Sequence, residues 1–285
     1  MKSVIEGLVI GWATLWLGCG GESSPVSTLP GVNVEPTVQT PAAPGQKSED
    51  ACAPGLPAVS EVAGLSDGDG YAIQMVQSYF ADVPILGQLR FSLQSVRRAR
   101  FVRSGSGWEL RVRICALALS TTTEVVRTIF PDAFVRSLPE QTRPVRFVRL
   151  GSGVGFCAPR QLEIRGAALA DAENDPLPRT IEDARLVDQD GDLRPGLTVR
   201  VSGLVNGEIY VVQKDWNQLE GELQPTKGRP GLQGSVAWET VQVILGADNP
   251  ILARQQVTSP DPESASNHFT FVPVDPGATC DDLAD

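Results

Sequence analysis

Three aspartates at alternate positions have the spacing in this chain that most clearly indicates chemistry. Asp188, Asp190 and Asp192 lie in the stretch VDQDGDLRPG, residues 187–196. Carboxylates at the first, third and fifth positions of a curled loop are the oxygen ligands that calcium-binding loops offer to Ca²⁺. Without a cation the three charges repel one another. The spacing therefore predicts a structural calcium site, to which the backbone carbonyl near Arg194 adds a fourth ligand.

The loop departs from an EF-hand in two places. Its glycine is Gly191, whereas the sixth position of the loop is Leu193, and the twelfth position is Val199 instead of glutamate. A complete EF-hand is therefore excluded. The prediction is a partial calcium turn, completed by one carboxylate of the preceding acidic segment: Asp171, Asp175 or Asp183. The alternative is a polar turn whose solvated aspartates lead into the strand LTVRV.

No common signature of a catalytic site occurs in the chain. There is one histidine, His268, just before a candidate strand, so HExxH is impossible. A GxSxG elbow and a phosphate-binding loop are also missing from the sequence. A carboxylate pair of the kind that glycosidases use leaves no signature in sequence. We therefore expect a binding or structural module with no catalytic role, and the alternative is a secreted-side hydrolase with such a pair.

Four cysteines beyond Cys19 predict two disulfides. These residues are Cys52, Cys115, Cys157 and Cys280. An even number of cysteines in an exported chain is typical of a disulfide framework, and four allow three pairings. We favour Cys52–Cys280, which would join the ends of the folded region, together with Cys115–Cys157. A zinc site is disfavoured, because there is no CxxC and only one histidine.

The first 56 residues divide into a signal peptide and a tether. Residues 1–18 hold Lys2 and then an uncharged run, GLVIGWATLWLG, which is shorter than the roughly 20 residues that span a bilayer. That length is typical of the apolar region of a secretory signal. Residues 19–56 begin with Cys19, are rich in proline and contain no aromatic residue. Such a composition predicts a disordered, extended spacer.

The stretch LWLGCGGE, around Cys19, resembles the lipobox of bacterial lipoproteins. In that family a small residue precedes a cysteine that is lipidated, with acyl chains such as palmitate, after the signal is removed. The resemblance implies a lipid anchor on Cys19 and a place in the cell envelope. Because Gly20 is not an aspartate, it further implies the outer membrane. Together with DQDGD and GLVNGEIYVVQKDW, the lipobox and tether also resemble predicted lipoproteins of delta-proteobacteria such as the myxobacteria, which implies a compartment and no activity.

The elements that position these residues alternate with a period of two. In LTVRVSG, Leu197, Val199 and Val201 share one face, and similar runs are separated by turns rich in glycine. This pattern predicts an all-β fold over residues 57–285, an antiparallel barrel or sandwich of about eight to ten strands. Two smaller β-modules meeting near residues 150–180 are the alternative. Helix is scarce, and FPDAFVRSLP predicts one or two turns.

Charge and side-chain pattern limit the partners. With 24 basic and 34 acidic residues the net charge is −10, which excludes the basic footprint of a nucleic-acid binder. Alternating arginines in RRARFVR and RPVRFVR are interpreted as solvated strand faces. A barrel can enclose a small apolar ligand, and the candidates for an apolar lumen are Val199, Val201, Ile209, Val211, Val236 and Trp238. An envelope or surface protein is the other expected partner, contacted through Trp108, Trp216 or Trp238.

Overall fold

The computed structural model describes residues 51–83, 87–123, 125–151, 153–224, 226, 228–256 and 258–284. The predicted signal peptide, Cys19 and tether residues 19–50 lie outside the described residues. The all-β prediction is confirmed. The eleven strands of the described residues are β1 (Gly70–Val83), β2 (Gly87–Ser104), β3 (Gly107–Thr121), β4 (Val126–Ile129), β5 (Gln141–Leu150), β6 (Gly153–Arg165), β7 (Leu197–Gly203), β8 (Gly207–Gln224), β9 (Gly231–Ala247), β10 (Thr258–Pro260) and β11 (His268–Val274). The helices are α1 (Asp132–Ser137), α2 (Asp281–Ala284) and a 3-10 turn at Ser264–Ser266.

Eight strands close into an antiparallel ring, so the predicted barrel is also confirmed. The pairs run β1–β2, β2–β3, β3–β5, β5–β6, β6–β8, β8–β9, β9–β11 and β11–β1. Because the last pair returns to the first strand, the ring has no edge strand. Closure satisfies the backbone groups that an edge would leave unpaired.

Five strands of the ring, β1, β2, β3, β8 and β9, continue beyond it into a second half of the same sheet. There β4 joins β3 to β7, β7 pairs with β8, and β10 pairs with β1. Among the described residues, no ladder joins β9 to β10, so this half is a barrel open along one side. We call the two parts the closed half and the open half. The sheet is continuous through both, which favours one barrel over two separate modules.

Aromatic side chains fill the closed half. The alternation of the strands brings them to its inner face, where all are buried: Tyr71, Phe101, Trp108, Phe147, Phe156, Phe269 and Phe271. Phe101 lies at the centre of this cluster. Its ring centroid is 5.3 Å from that of Tyr71 and 5.7 Å from that of Phe147. These rings occupy the interior and make the closed half a packed core.

Helix α1 connects β4 of the open half to β5 of the closed half. The predicted helical turns are confirmed. Phe134 and Leu138 of this segment pack against Leu197, Val211 and Ile244. The helix ends at Ser137, and Leu138, which follows it, has an extended backbone (φ −69°, ψ 122°). The next residue is proline, which disfavours helical backbone in the residue before it.

The four cysteines form two disulfides, but the predicted pairing is wrong. Cys52 is bonded to Cys157, with Cα atoms 5.1 Å apart, and Cys115 to Cys280, with Cα atoms 5.0 Å apart. The two ends of the described region are therefore not joined to each other by a disulfide. Each is attached to a different part of the barrel wall, and neither Cys52–Cys280 nor Cys115–Cys157 exists.

Backbone contacts explain this pairing. The segment before β1 crosses β5, where Val59 N–H donates to the carbonyl of Phe147, and this brings Cys52 to β6. The C-terminal helix α2 packs Leu283 beside Val96 and Cys115, on β2 and β3. Ala51 is buried as well. The folded region therefore begins by residue 51, and residues 51–56, predicted to belong to the tether, are part of it.

Candidate functional site

The open half contains a cavity of about 180 Å³. The cavity lies inside the barrel wall of this half. The connection between β9 and β10 contributes Ile251 and Leu252 to its lining. Of the six residues predicted to face the lumen, four line this cavity: Val199, Val201, Ile209 and Trp238. Val211 packs against α1 instead, and Val236 belongs to the filled core of the closed half.

Aliphatic side chains on the cavity wall are incompletely covered. Leu93, Leu119 and Val201 point inward yet are only half-buried. The surface that they retain faces the cavity. Apolar surface left in contact with water is unfavourable by roughly 25 cal/mol per Å². An apolar group entering the cavity would remove that cost.

One side of the cavity is aromatic. The ring of Tyr79 stacks on Phe91 with centroids 5.2 Å apart and meets Trp238 edge-on at 6.0 Å. The indole N–H of Trp238 donates to Asn267 Oδ1 at 2.8 Å, which fixes the ring. Burial raises the pKa of Tyr79, so its hydroxyl stays protonated. Within the described part of the chain, that hydroxyl has no hydrogen-bond partner.

The floor of the cavity is polar. Gln213 and Gln242 line it and are joined by a hydrogen bond of 2.8 Å. Thr240 donates from its hydroxyl to Asp215 at 2.5 Å. The side-chain oxygen of Gln213 also accepts from Arg165 at 3.4 Å. The apolar cavity therefore rests directly on charged groups.

The charged groups below the cavity form a layer between the two halves. We call Arg97, Arg143, Glu163, Arg165 and Asp215 the charged layer. Arg165 donates to Glu163 at 2.5 Å and also to Asp215. Burial alone would lower the pKa of Arg165, but Asp215 and Glu163 hold it above its ordinary value. Three guanidinium groups face two carboxylates, so the layer carries one positive charge in excess.

Arg97 and Arg143 point into the barrel. The prediction that the arginines of RRARFVR and RPVRFVR lie on solvated strand faces is therefore wrong for these two residues. Arg97 shares the inner face of β2 with Phe101, and Arg143 that of β5 with Phe147. Arg143 is 6% exposed. Burial lowers the pKa of each to about 10. The sequence contains this information, because each arginine lies four positions before a core phenylalanine. Residues an even number of positions apart on a strand point to the same face of the sheet.

The aspartate loop lies outside the cavity, at the entry to β7. Carboxylate oxygens of Asp188, Asp190 and Asp192 lie within 4.8 Å of one another. Gly191 and Leu193 have left-handed backbone, with φ of 75° and 69°. This curl brings the three side chains together, and Asp188 caps it by accepting from the N–H groups of Gly191, Asp192 and Leu193.

Asp190 carries the unsatisfied group of this loop. Its Oδ2 accepts from Thr198 N–H at 2.9 Å, whereas its Oδ1 is buried and has no hydrogen-bond partner among the residues that the structure describes. Burial raises the pKa of Asp190, and the charges of Asp192 and Asp188 add to the effect. The proposed completing carboxylates do not join the cluster. Asp183 pairs with Arg185, while Asp171 and Asp175 cap a separate turn.

Calcium should stabilise the protein if the loop binds it. Weak extracellular sites have dissociation constants of about 10⁻⁴–10⁻³ M. At about tenfold excess, Ca²⁺ would add about 1.4 kcal/mol to the free energy of unfolding. Thermal unfolding in about 5 mM Ca²⁺ against chelator measures this.

Asp190→Asn is the matched variant for the calcium experiment. Because folding raises the pKa of Asp190, the fold disfavours its ionised form, and this cost appears as pH rises through the folded-state pKa. At neutral pH in chelator the variant should therefore be at least as stable as the parent, and it should lose the calcium shift. A parent with no calcium shift would leave only the polar turn.

The remaining sequence candidates do not converge on a site. His268 is exposed, and its Nδ1 lies 3.1 Å from the carbonyl oxygen of Ala265. Trp108 is 3% exposed inside the closed half, so it is not available to a partner. Trp216 lies on the outer wall, where Arg160 is 5.2 Å from its ring.

The fold and the cavity place the chain among antiparallel β-barrel proteins with an internal apolar pocket. No family model, curated protein or solved structure matches it. In the part of the chain that the structure describes, no helix is long and apolar enough to cross a bilayer.

Proposed function

We propose that this protein is a cell-envelope lipoprotein whose barrel binds a small apolar ligand in the open half. The observation that carries the proposal is the contrast between the halves. Aromatic rings fill the closed half, whereas half-buried aliphatic side chains surround a cavity of about 180 Å³ in the open half. Cavities of about 150 Å³ bind benzene, and pockets for drug-sized ligands occupy roughly 300–1,000 Å³. The cavity therefore suits one ring or one hydrocarbon segment.

The lipid anchor is the second part of the proposal. A lipidated Cys19 would hold the barrel at the outer membrane, on the tether of residues 19–50. Cys19→Ala should move the protein from the membrane pellet to the soluble fraction. Retention of the variant in the pellet would refute the anchor and leave the cavity proposal intact.

The alternative hydrolase is less well supported. Glu163 and Asp215 are the inward-facing carboxylates of the charged layer, and both bind Arg165. In a glycosidase the two carboxyls lie on either side of the scissile bond and act directly on it or on water. Here both carboxylates are engaged by the same guanidinium, which does not favour that role.

Filling the cavity should abolish ligand binding. Val201→Trp places a large ring in the cavity, and binding of 1-octanol, measured by calorimetry, should weaken at least about tenfold, which is about 1.4 kcal/mol. Val241→Trp is the matched control, since Val241 is 49% exposed on the same sheet and lies outside the cavity lining.

The control should bind 1-octanol as the parent does. Circular dichroism checks that both variants are folded. Equal affinity of folded Val201→Trp and parent would contradict the proposed site, and absence of binding to the parent would contradict the function.

A further inference from the structure

The guanidinium of Arg97 is the cation of the charged layer with the most unused hydrogen-bonding capacity. Arg97 lies opposite Ile73 of β1 and Ile114 of β3, on the inward face that also carries Ala99 and Phe101. Its Nε donates to Ser95 Oγ at 3.0 Å. Throughout residues 51–284 as far as they are described, its two terminal nitrogens have no hydrogen-bond partner. Its side chain is nevertheless only half-buried, so the surface that it retains faces the interior of the barrel.

The other two arginines of the layer already have acceptors for both terminal nitrogens, although Arg143 Nε has none among the described residues. Arg165 binds both carboxylates, Glu163 and Asp215. Arg143 donates to Asn217 Oδ1 at 2.6 Å and to the carbonyl oxygen of Ala158 at 2.7 Å, among other neutral acceptors. Arg97 is therefore the arginine of the layer whose two terminal nitrogens are both left without an acceptor among the described residues. An interior cation without an acceptor is costly unless water or an anion reaches it.

The cavity leads toward this group. Leu93 lines the cavity and lies two inward positions from Arg97 on β2, with Ser95 between them. On the opposite wall, Gln213 lines the cavity floor and contacts Arg165. A ligand with its apolar part among the aliphatic side chains thus has its inner end directed at the charged layer.

We infer that the ligand is an amphiphile with a carboxylate head group, and that Arg97 binds this head group while the hydrocarbon occupies the cavity. The inference rests on the proposed function, since it uses the same cavity. A guanidinium presents a planar fork of N–H donors that matches the two oxygens of a carboxylate. One carboxylate would bring the charged layer to three cations and three anions. A cationic head group would meet the excess positive charge and be rejected.

Three ligands with the same eight-carbon chain separate the contributions of head group and chain. Calorimetry of the full-length protein at low salt compares octanoate, 1-octanol and octyltrimethylammonium. Octanoate should bind the parent at least about tenfold more tightly than 1-octanol, because a charge-assisted hydrogen bond in a poorly hydrated site is strong. Octyltrimethylammonium should bind more weakly than 1-octanol.

Variants of Arg97 assign the preference to this residue. Arg97→Met should bind octanoate and 1-octanol alike and keep the parent affinity for 1-octanol, while Arg97→Lys should keep part of the preference. Arg98→Met is the control, because Arg98 is the outward neighbour and binds Glu140. Its preference should equal that of the parent.

The outcomes distinguish the inference from the proposed function. Equal binding of octanoate and 1-octanol by the parent, or an unchanged preference in both Arg97 variants, would overturn the role of Arg97 and leave the apolar cavity standing. Failure of all three ligands to bind the parent would overturn both.

Discussion

Phe101→Ala should lower the free energy of unfolding by about 3–5 kcal/mol, the usual cost of truncating a buried phenylalanine. Phe101 is completely buried, and five aromatic rings surround it at centroid distances of 5.3–6.4 Å. Rings from several strands of a closed barrel have little freedom to collapse into the space left behind. Urea unfolding followed by circular dichroism measures the change.

Phe130→Ala is the control for this prediction. Phe130 also contacts another aromatic ring, Phe134, but it is half-buried and lines the cavity of the open half. Because less of its surface is buried, its loss should cost clearly less than that of Phe101. Equal losses in the two variants would contradict the distinction between a filled closed half and an incompletely filled open half.

The barrel could be predicted from sequence because its strands alternate. The run Leu197, Val199 and Val201 faces the interior, as its period of two requires. Closure itself depends on which strands become neighbours, and that is not encoded in any single segment. The meeting of β11 with β1, for example, joins residues 268–274 to residues 70–76.

The disulfide pairing failed for a similar reason. Cys52 and Cys280 lie near the two ends of the folded region, and the expectation that these ends lie close together predicts that they pair. The path of each terminal segment across the barrel decides the pairing instead. Cys115 is the additional residue of a β-bulge between the pairs Val96–Ala116 and Arg97–Ile114, and α2 packs beside it.

The charged layer is the part of the candidate site that sequence analysis missed. Arg97 and Arg143 occur in runs that also contain outward-facing arginines, such as Arg98 and Arg146. Strict parity with Phe101 and Phe147 would have placed both inside. The usual preference of arginine for solvent favoured the opposite interpretation. Inward charges are tolerated here because carboxylates, amides and backbone carbonyls of β6 and β8 surround them.

Arg165→Met should be among the most damaging substitutions in the barrel, costing about 3–5 kcal/mol, because it leaves two buried carboxylates without their cation. The side chains of Glu163 and Asp215 are only 10% and 11% exposed. Burial already raises the pKa of Asp215. Without Arg165 the pKa of Asp215 should rise further, so the loss should be largest at neutral pH and should shrink as pH falls and protons bind.

Arg160→Met is the matched control, because Arg160 forms an exposed ion pair with Glu173, with side chains 43% and 55% exposed. Solvent screens such a pair, and its loss should cost about 0–1 kcal/mol. Adding Glu163→Gln and Asp215→Asn to Arg165→Met removes the unpaired charges and should restore part of the stability. Urea unfolding at pH 5 and pH 7 distinguishes the cases, both pH values being chosen to lie above the ordinary carboxyl pKa of about 4. A loss in Arg165→Met that neither low pH nor the added substitutions relieve would show that packing of the arginine side chain, and not pairing of its charge, stabilises this layer.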